Sequence, residues 1–529
     1  MSDAGVSTAG RRTRQVGGDF VAMASGVLLR GALATLVSIV IARALAPADM
    51  GRYAFLIWLA ALLPVVLSLG VPTTITRYTA EAVGGGRPRA AGALLVRLVR
   101  AQAALSLGAA ALLAATALLP GVSAWWAVPL LLTAACVPLL VLHGSAAALL
   151  AGLQRFRWQA ALGVGQLALQ AVLMVLVARH VPGVRGFLAV QVVVNALALA
   201  ALAWSGWRAA RAAGIVPPAP AAPGGLGEGV ARYARSVSLI VVLDAIVWQR
   251  TEVAFLQAFS APAEIAFYAL AFGIASQVSR LPYQASIVLF PEFPRLVGAG
   301  RGGELAALHA TAMRYLVLLG APLATGLAVT APFLVRTLYG PDYAPAGLVL
   351  ALLALGGLPA CFAGASPAVL HATRREDRLV RQGLLGAGLN LALALALTPV
   401  AGALGAALAN VVAQAVGSVL AIRAAVTVAG ATVPGGALAR IVGAALVMGM
   451  VAAIPVLTLP GAAGLAAAVI VGAVVYPLAL RALGALTPED LDRVRVLVER
   501  LPRRARAGGL ALAGYLCRGP LEEPWSASR

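Results

Sequence analysis

About fourteen apolar stretches, each roughly 18–25 residues long and nearly free of charge, follow one another between Phe20 and Leu483. Arginines collect in every second gap between them. In hydrocarbon a backbone amide has no water to bond, so each stretch is predicted to close its own hydrogen bonds as an α-helix. The expected fold class is an all-α polytopic membrane protein, whose function is something a helix bundle does within or across a bilayer. At 61% hydrophobic and 11% charged residues, the 529-residue chain has too few polar groups to coat a soluble body of its size.

The spans are expected near 20–42, 53–74, 101–119, 127–150, 159–178, 186–207, 236–257, 265–289, 308–330, 345–369, 380–399, 402–422, 437–458 and 462–483. One set of gaps carries Arg77, Arg87, Arg89, Arg97, Arg100, Arg155, Arg157, Arg208, Arg211, Arg232, Arg235, Arg295, Arg301, Arg374, Arg375, Arg378 and Arg381. The opposite gaps hold Arg43, Arg52, Arg179, Arg185 and Arg336. The positive-inside rule then places both termini in the cytoplasm, in keeping with an even number of crossings.

The longest internal gap has the core Val216-Pro217-Pro218-Ala219-Pro220-Ala221-Ala222-Pro223-Gly224-Gly225, which supports neither helix nor strand and reads as a tether. On either side of it a string recurs: Ala46-Pro47-Ala48-Asp49-Met50-Gly51-Arg52-Tyr53-Ala54 returns as Ala261-Pro262-Ala263-Glu264-Ile265-Ala266-Phe267-Tyr268-Ala269. Both copies join the first and second helices of their half on the outer side. The halves therefore run parallel, related by an axis along the membrane normal. The expected organisation is a cytoplasmic segment 1–19, an N-lobe 20–207, the linker 208–235, a C-lobe 236–423, two further helices over 437–483 and a cytoplasmic tail 484–529. In the tail, Thr487-Pro488-Glu489-Asp490 opens a helix whose Leu491, Val494, Leu497, Val498 and Leu501 share one face. It is expected to lie on the inner leaflet.

Charges inside the spans are the main chemical signal, since each costs about 2.5–3.5 kcal/mol at mid-bilayer on insertion scales. Arg30 lies about ten residues into the first span, roughly 15 Å deep. Asp244 lies at comparable depth in the seventh, its counterpart by the repeat. A static salt bridge between the lobes and a substrate or gating role are both open to this pair. Arg250 and Glu252 form an Arg-Thr-Glu step in the outer part of the seventh span, placed to pair, to face a cavity or to snorkel. Arg280 and Arg314 lie towards the inner leaflet, where snorkelling competes with a place in a cleft. Gln166, Asn195 and Asn390, like Gln170 and Gln191, are suited either to sugar hydroxyls or to interhelical hydrogen bonds.

Other function classes find little in the chain. The formal charge of +21 is all arginine, spread over short loops as topology demands and not gathered into a nucleic-acid surface. Cys136, Cys361 and Cys517 have no CxxC spacing and read as free thiols. The four histidines, His143, His180, His309 and His371, are scattered and form neither a metal cluster nor a triad. Asp490-Leu491-Asp492 is a D-x-D string, but it opens a short amphipathic helix with no nucleotide-binding fold around it. No outer loop exceeds about a dozen residues, so neither an enzyme activity nor a cofactor is expected.

Several strings nonetheless carry a family resemblance: Ile41-Ala42-Arg43-Ala44-Leu45-Ala46-Pro47-Ala48-Asp49-Met50-Gly51-Arg52-Tyr53, Arg77-Tyr78-Thr79-Ala80-Glu81, Arg250-Thr251-Glu252, Phe290-Pro291-Glu292-Phe293-Pro294 and Leu338-Tyr339-Gly340-Pro341-Asp342-Tyr343. Over most of residues 17–425 the chain resembles polysaccharide flippases of the Wzx type, in the multidrug/oligosaccharidyl-lipid/polysaccharide exporter (MOP) superfamily. That resemblance implies about 14 transmembrane helices in a V-shaped, MATE-like pair of six-helix lobes plus two C-terminal helices. It implies a bacterial inner-membrane flippase for an undecaprenyl-diphosphate-linked oligosaccharide of lipopolysaccharide or exopolysaccharide, working beside a polysaccharide polymerase and glycosyltransferases. The cleft candidates are then Arg30, Asp244, Arg250, Glu252, Arg280, Arg314, Gln166, Asn195 and Asn390. The small number of cleft arginines speaks against lipid II transport of the MurJ kind, while Asp244 leaves cation-coupled drug export of the MATE kind open.

Overall fold

The computed structural model describes residues 31–86, 88–120, 122–215, 250–289, 292–430, 433–486 and 490, with backbone alone at 89, 90 and 278–289. Every regular element among them is helical. The chain runs α1 (Gly31–Ala44), α2 (Pro47–Ser68), α3 (Val71–Gly84), α4 (Pro88–Thr116), α5 (Ala124–Gly152), α6 (Phe156–His180), α7 (Val184–Ala212), α8 (Glu252–Phe259), α9 (Pro262–Leu289), α10 (Glu292–Gly298), α11 (Gly302–Tyr339), α12 (Ala346–Ala363), α13 (Ser366–Ala372), α14 (Glu376–Ala429), α15 (Gly435–Thr458) and α16 (Gly461–Ala482). Ten helical stretches of the described residues are long and apolar enough to cross a membrane. Leu112, Val469, Met450 and Leu457 stand 66–73% exposed, an arrangement that suits a lipid-facing surface.

The helices differ from the hydropathy segments in informative places. The expected 53–74 span is two helices: Leu69 and Gly70 both adopt left-handed conformations, at φ 46° and 67°. The break frees carbonyl groups at the end of α2, and Gln102 Nε2 of α4 donates to Leu67 O and Ser68 O at 3.3 and 2.7 Å. The 308–330 segment is the centre of the 38-residue α11, which continues past the charges that ended the apolar window. Segments 380–399 and 402–422 lie within α14, where Gly402 (φ 52°, ψ −129°) breaks the helical path. Glu264 Oε2 accepts the Ala403 N–H at 2.8 Å, and a Cβ on Gly402 would lie 2.7 Å from that oxygen. Most of the 236–257 segment and the tail beyond Asp490 fall outside the described residues.

The sequence repeat corresponds to repeated structure. In both copies a proline opens the helix, where its missing N–H has no partner to lose. Met50 and Ile265 are both buried, as are Tyr53 and Tyr268. The copies touch each other, because an ideal Cβ on Gly51 would fall 1.6 Å from Pro262 O and 3.3 Å from the nitrogen of Ala266, its own counterpart. A second correspondence links the α5–α6 and α13–α14 turns. Gln154 and Arg374 share a left-handed φ of 56°, and the next amides, of Arg155 and Arg375, bond Leu150 O and Leu370 O at 2.9 and 2.8 Å.

Two compact units emerge, one of residues 1–270 with 383–409 and the other of 271–382 with 410–529. In the first, α5 is the hub, packing on α2, α3, α4 and α7. In the second, α11 packs on α12, α15 and α16. Its core sets Met313, Val317 and Ala321 against Ile441, Ala444, Ala445 and Leu480, with alanines letting the helices approach closely.

Candidate functional site

The most deeply buried charge of the described residues is Glu252, at the first position of α8 and 0% exposed. Its Oε1 accepts a 2.9 Å hydrogen bond from Asn390 Nδ2 of α14, itself 3% exposed. Arg250 and Tyr268 interact electrostatically with the same carboxylate. Arg250 has a left-handed φ of 55°, a strained conformation for so large a side chain and one often kept at functional sites. Asn390 Oδ1 is buried and receives no hydrogen bond from the described residues. The group thus offers a desolvated carboxylate, a carboxamide with an open acceptor, a phenol and a guanidinium. A polar or charged group placed against such a set would meet it with little water to screen the interaction.

Two carboxamide clasps lie elsewhere in the first unit. Gln166 Nε2 of α6 donates to Asn195 Oδ1 of α7 at 3.3 Å, and Gln191 Nε2 of α7 donates to the Tyr53 hydroxyl of α2 at 3.3 Å. Between α3, α5 and α6 a groove of about 430 Å³ is lined by Arg77, Thr73, Thr76 and Gln159 over the small wall of Gly144 and Ala147. Among the described residues no three His, Cys, Asp or Glu side chains gather as a metal site.

The sequence candidates are therefore distributed. Arg250, Glu252 and Asn390 come together in the first unit, and Gln166 meets Asn195. Arg314 lies in the second unit, where its guanidinium holds Asp490 and the Ala485 carbonyl. Arg30 and Asp244 fall outside the described residues, and Arg280 is described by backbone alone. Sequence reasoning passed over Tyr53, Tyr268, Arg77 and the pairing role of Asp490. The two tyrosines carried a usable signal as identical members of the repeat, whereas Arg77 was absorbed into the topology pattern.

The fold is similar to "Lipid II flippase MurJ, inward closed conformation" at TM-score 0.59 and 14% identity, covering 87% of this chain and 98% of that one. It is similar to an inward-facing multidrug resistance MATE family transporter of the MOP superfamily at TM-score 0.57 and 14% identity, covering 76% and 94%. A point mutant of the Vibrio cholerae MATE transporter VcmN follows at TM-score 0.50 and 14% identity, covering 78% and 96%. The chain is a multi-pass membrane protein with the MOP-type fold. By sequence, the family model that matches is that of the lipid II flippase MurJ, over residues 277–475 and so over less than half of the chain. No curated protein matches the chain by sequence.

Proposed function

We propose that this protein is a flippase that carries a polyprenyl-diphosphate-linked saccharide from the cytoplasmic to the outer leaflet of a bacterial plasma membrane, with both termini cytoplasmic. The observation that carries the reading is the match to the lipid II flippase family over residues 277–475, on a fold similar to MurJ along nearly the whole of that chain. The cargo chemistry is shared by lipid II and by the undecaprenyl-linked oligosaccharides of Wzx-type flippases. A diphosphate needs cations, a saccharide needs replacements for water, and the polyprenyl tail can remain in lipid.

In this reading the two lobes, 20–207 and 236–423, alternate in access. Arg30 and Arg280 supply charge for the diphosphate. Arg77, at the inner end of the second span, lines a groove where the headgroup would first be met. The Glu252–Asn390 group couples the C-lobe to a change of protonation or bound cation, and Arg30 pairs with Asp244 between cargo cycles. The resemblance of the strings at 41–53, 77–81 and 338–343 to Wzx-type flippases, together with the small number of arginines within the spans, supports an oligosaccharide of surface polysaccharide as cargo, beside its polymerase and glycosyltransferases. The family match favours lipid II as the second reading.

A deletion strain separates these. If the cargo is an oligosaccharide, the complete lipid-linked intermediate accumulates out of reach of an external glycosidase, and surface polysaccharide is lost. Lipid II accumulation with cell lysis would select the second reading. Truncated intermediates, or unchanged glycans with heightened drug sensitivity, would overturn the flippase proposal.

A further inference from the structure

By sequence Arg314 is placed to snorkel or to line a cleft, and the structure gives it a different partner. It lies twelve residues into α11 and 22 residues before Arg336, a rise of about 33 Å, so it falls near the inner edge of the hydrocarbon. A cation there ordinarily turns to water or lipid phosphate. Here its guanidinium grips one carboxylate with two nitrogens. Nη1 donates to Asp490 Oδ1 at 3.0 Å, and Nη2 forms the ion pair with Oδ2. Nη2 also donates to Ala485 O at 2.9 Å, and the neighbouring Tyr315 hydroxyl donates to Asp490 Oδ1. The side chains are 14% and 3% exposed, so little water competes. One residue before Ala485, Gly484 O accepts from Arg440 Nη1 of α15 at 3.1 Å. Arginines of α11 and α15 thus hold consecutive carbonyls just past α16. Tyr476 of α16 adds a 2.8 Å hydrogen bond to Leu318 O of α11.

We propose that Arg314, Tyr315 and Asp490 form a latch that fastens Asp490 and the residues just past α16 to α11, so that α11, α15 and α16 act as one body at the cytoplasmic face and Arg314 is withheld from cargo. Asp490 belongs to the D-x-D string, which in this light is a docking residue and not a metal ligand. Only the withholding of Arg314 from cargo rests on the flippase reading; the docking of Asp490 on Arg314 stands whatever is transported, and the labelling rate tests it by itself.

The probe is a cysteine at Ala485, 3% exposed, in full-length protein lacking Cys136, Cys361 and Cys517, reacted in native membranes with a membrane-permeant maleimide. Arg314→Ala and Asp490→Asn should each speed labelling on the order of tenfold or more, because either change removes the buried pair. The double variant should be no faster than the singles, and the exchange Arg314→Asp with Asp490→Arg should recover much of the slow rate. Labelling at the parent rate in Asp490→Asn, which preserves shape, would overturn the latch. So would loss of transport in Arg314→Ala with full transport in Asp490→Asn, since the arginine would then serve cargo.

Discussion

Gly51→Ala tests the tightest contact that a methyl would meet at any glycine of the described residues. The added methyl would lie 1.6 Å from Pro262 O and 2.6 Å from Pro262 C, and restoring an ordinary 3.4 Å contact requires about 1.8 Å of movement. Both offending atoms are backbone, and the proline fixes its own φ, so no rotamer change relieves the clash. Overpacking costs about 1–3 kcal/mol, and a rigid backbone obstacle places this substitution near ~3 kcal/mol, on the order of a hundredfold in the folded ratio. The counterpart change, Ala266→Gly, only removes a methyl and adds backbone freedom, for about 1–2 kcal/mol. Pro262→Ala keeps the carbonyl and should not rescue Gly51→Ala. Reversible unfolding in mixed micelles, followed by far-UV circular dichroism, measures all three. A loss below about 0.5 kcal/mol in Gly51→Ala would refute the contact between the two repeat copies.

Asn390→Ala leaves the buried Glu252 without its amide donor and should destabilise by about 1.5–3 kcal/mol in the same unfolding assay. Glu252→Gln in that background should be less damaging than the sum of the single changes, and strict additivity would show that the two do not interact. Transport by Glu252→Gln at normal expression should be lost if the carboxylate couples lobe movement to an ion, and full activity would dismiss that role. For topology, cysteines replacing Ser123 and Ser260 should react with a membrane-impermeant reagent from outside while one replacing Pro220 is protected. Outside labelling of position 220 would invert the orientation.

Hydropathy and charge made the spans legible because bilayer insertion reads the same quantities. What they could not show was backbone behaviour at particular residues. Nothing about Leu69 announces a left-handed φ; the adjoining Gly70 and Pro72 were the available signs of a break. The Pro399–Gly402 interruption was visible for the opposite reason, as both residue types punctuate helices. α11 was underestimated because Glu304 and Arg336 lower hydropathy without ending a helix, and both residue types are good helix formers. In the site, Glu252 and Asn390 stood out separately as polar residues in apolar spans. Their contact bridges 138 residues, and no local pattern carries a pairing of that range. Arg314 failed in the same way, since Asp490 read as the first turn of a surface helix.

Flipping by the purified protein tests the central claim most directly. The protein is reconstituted into liposomes carrying a fluorescent polyprenyl-diphosphate-linked saccharide, and a soluble glycosidase is added outside. In protein-free vesicles about half the cargo should be cleaved and the rest protected. With the protein present, the protected half should become cleavable without lysis, while the same saccharide on a phospholipid anchor stays protected. Protection of the inner-leaflet cargo in the presence of correctly inserted protein, under proton and sodium gradients of either sign, would contradict the account.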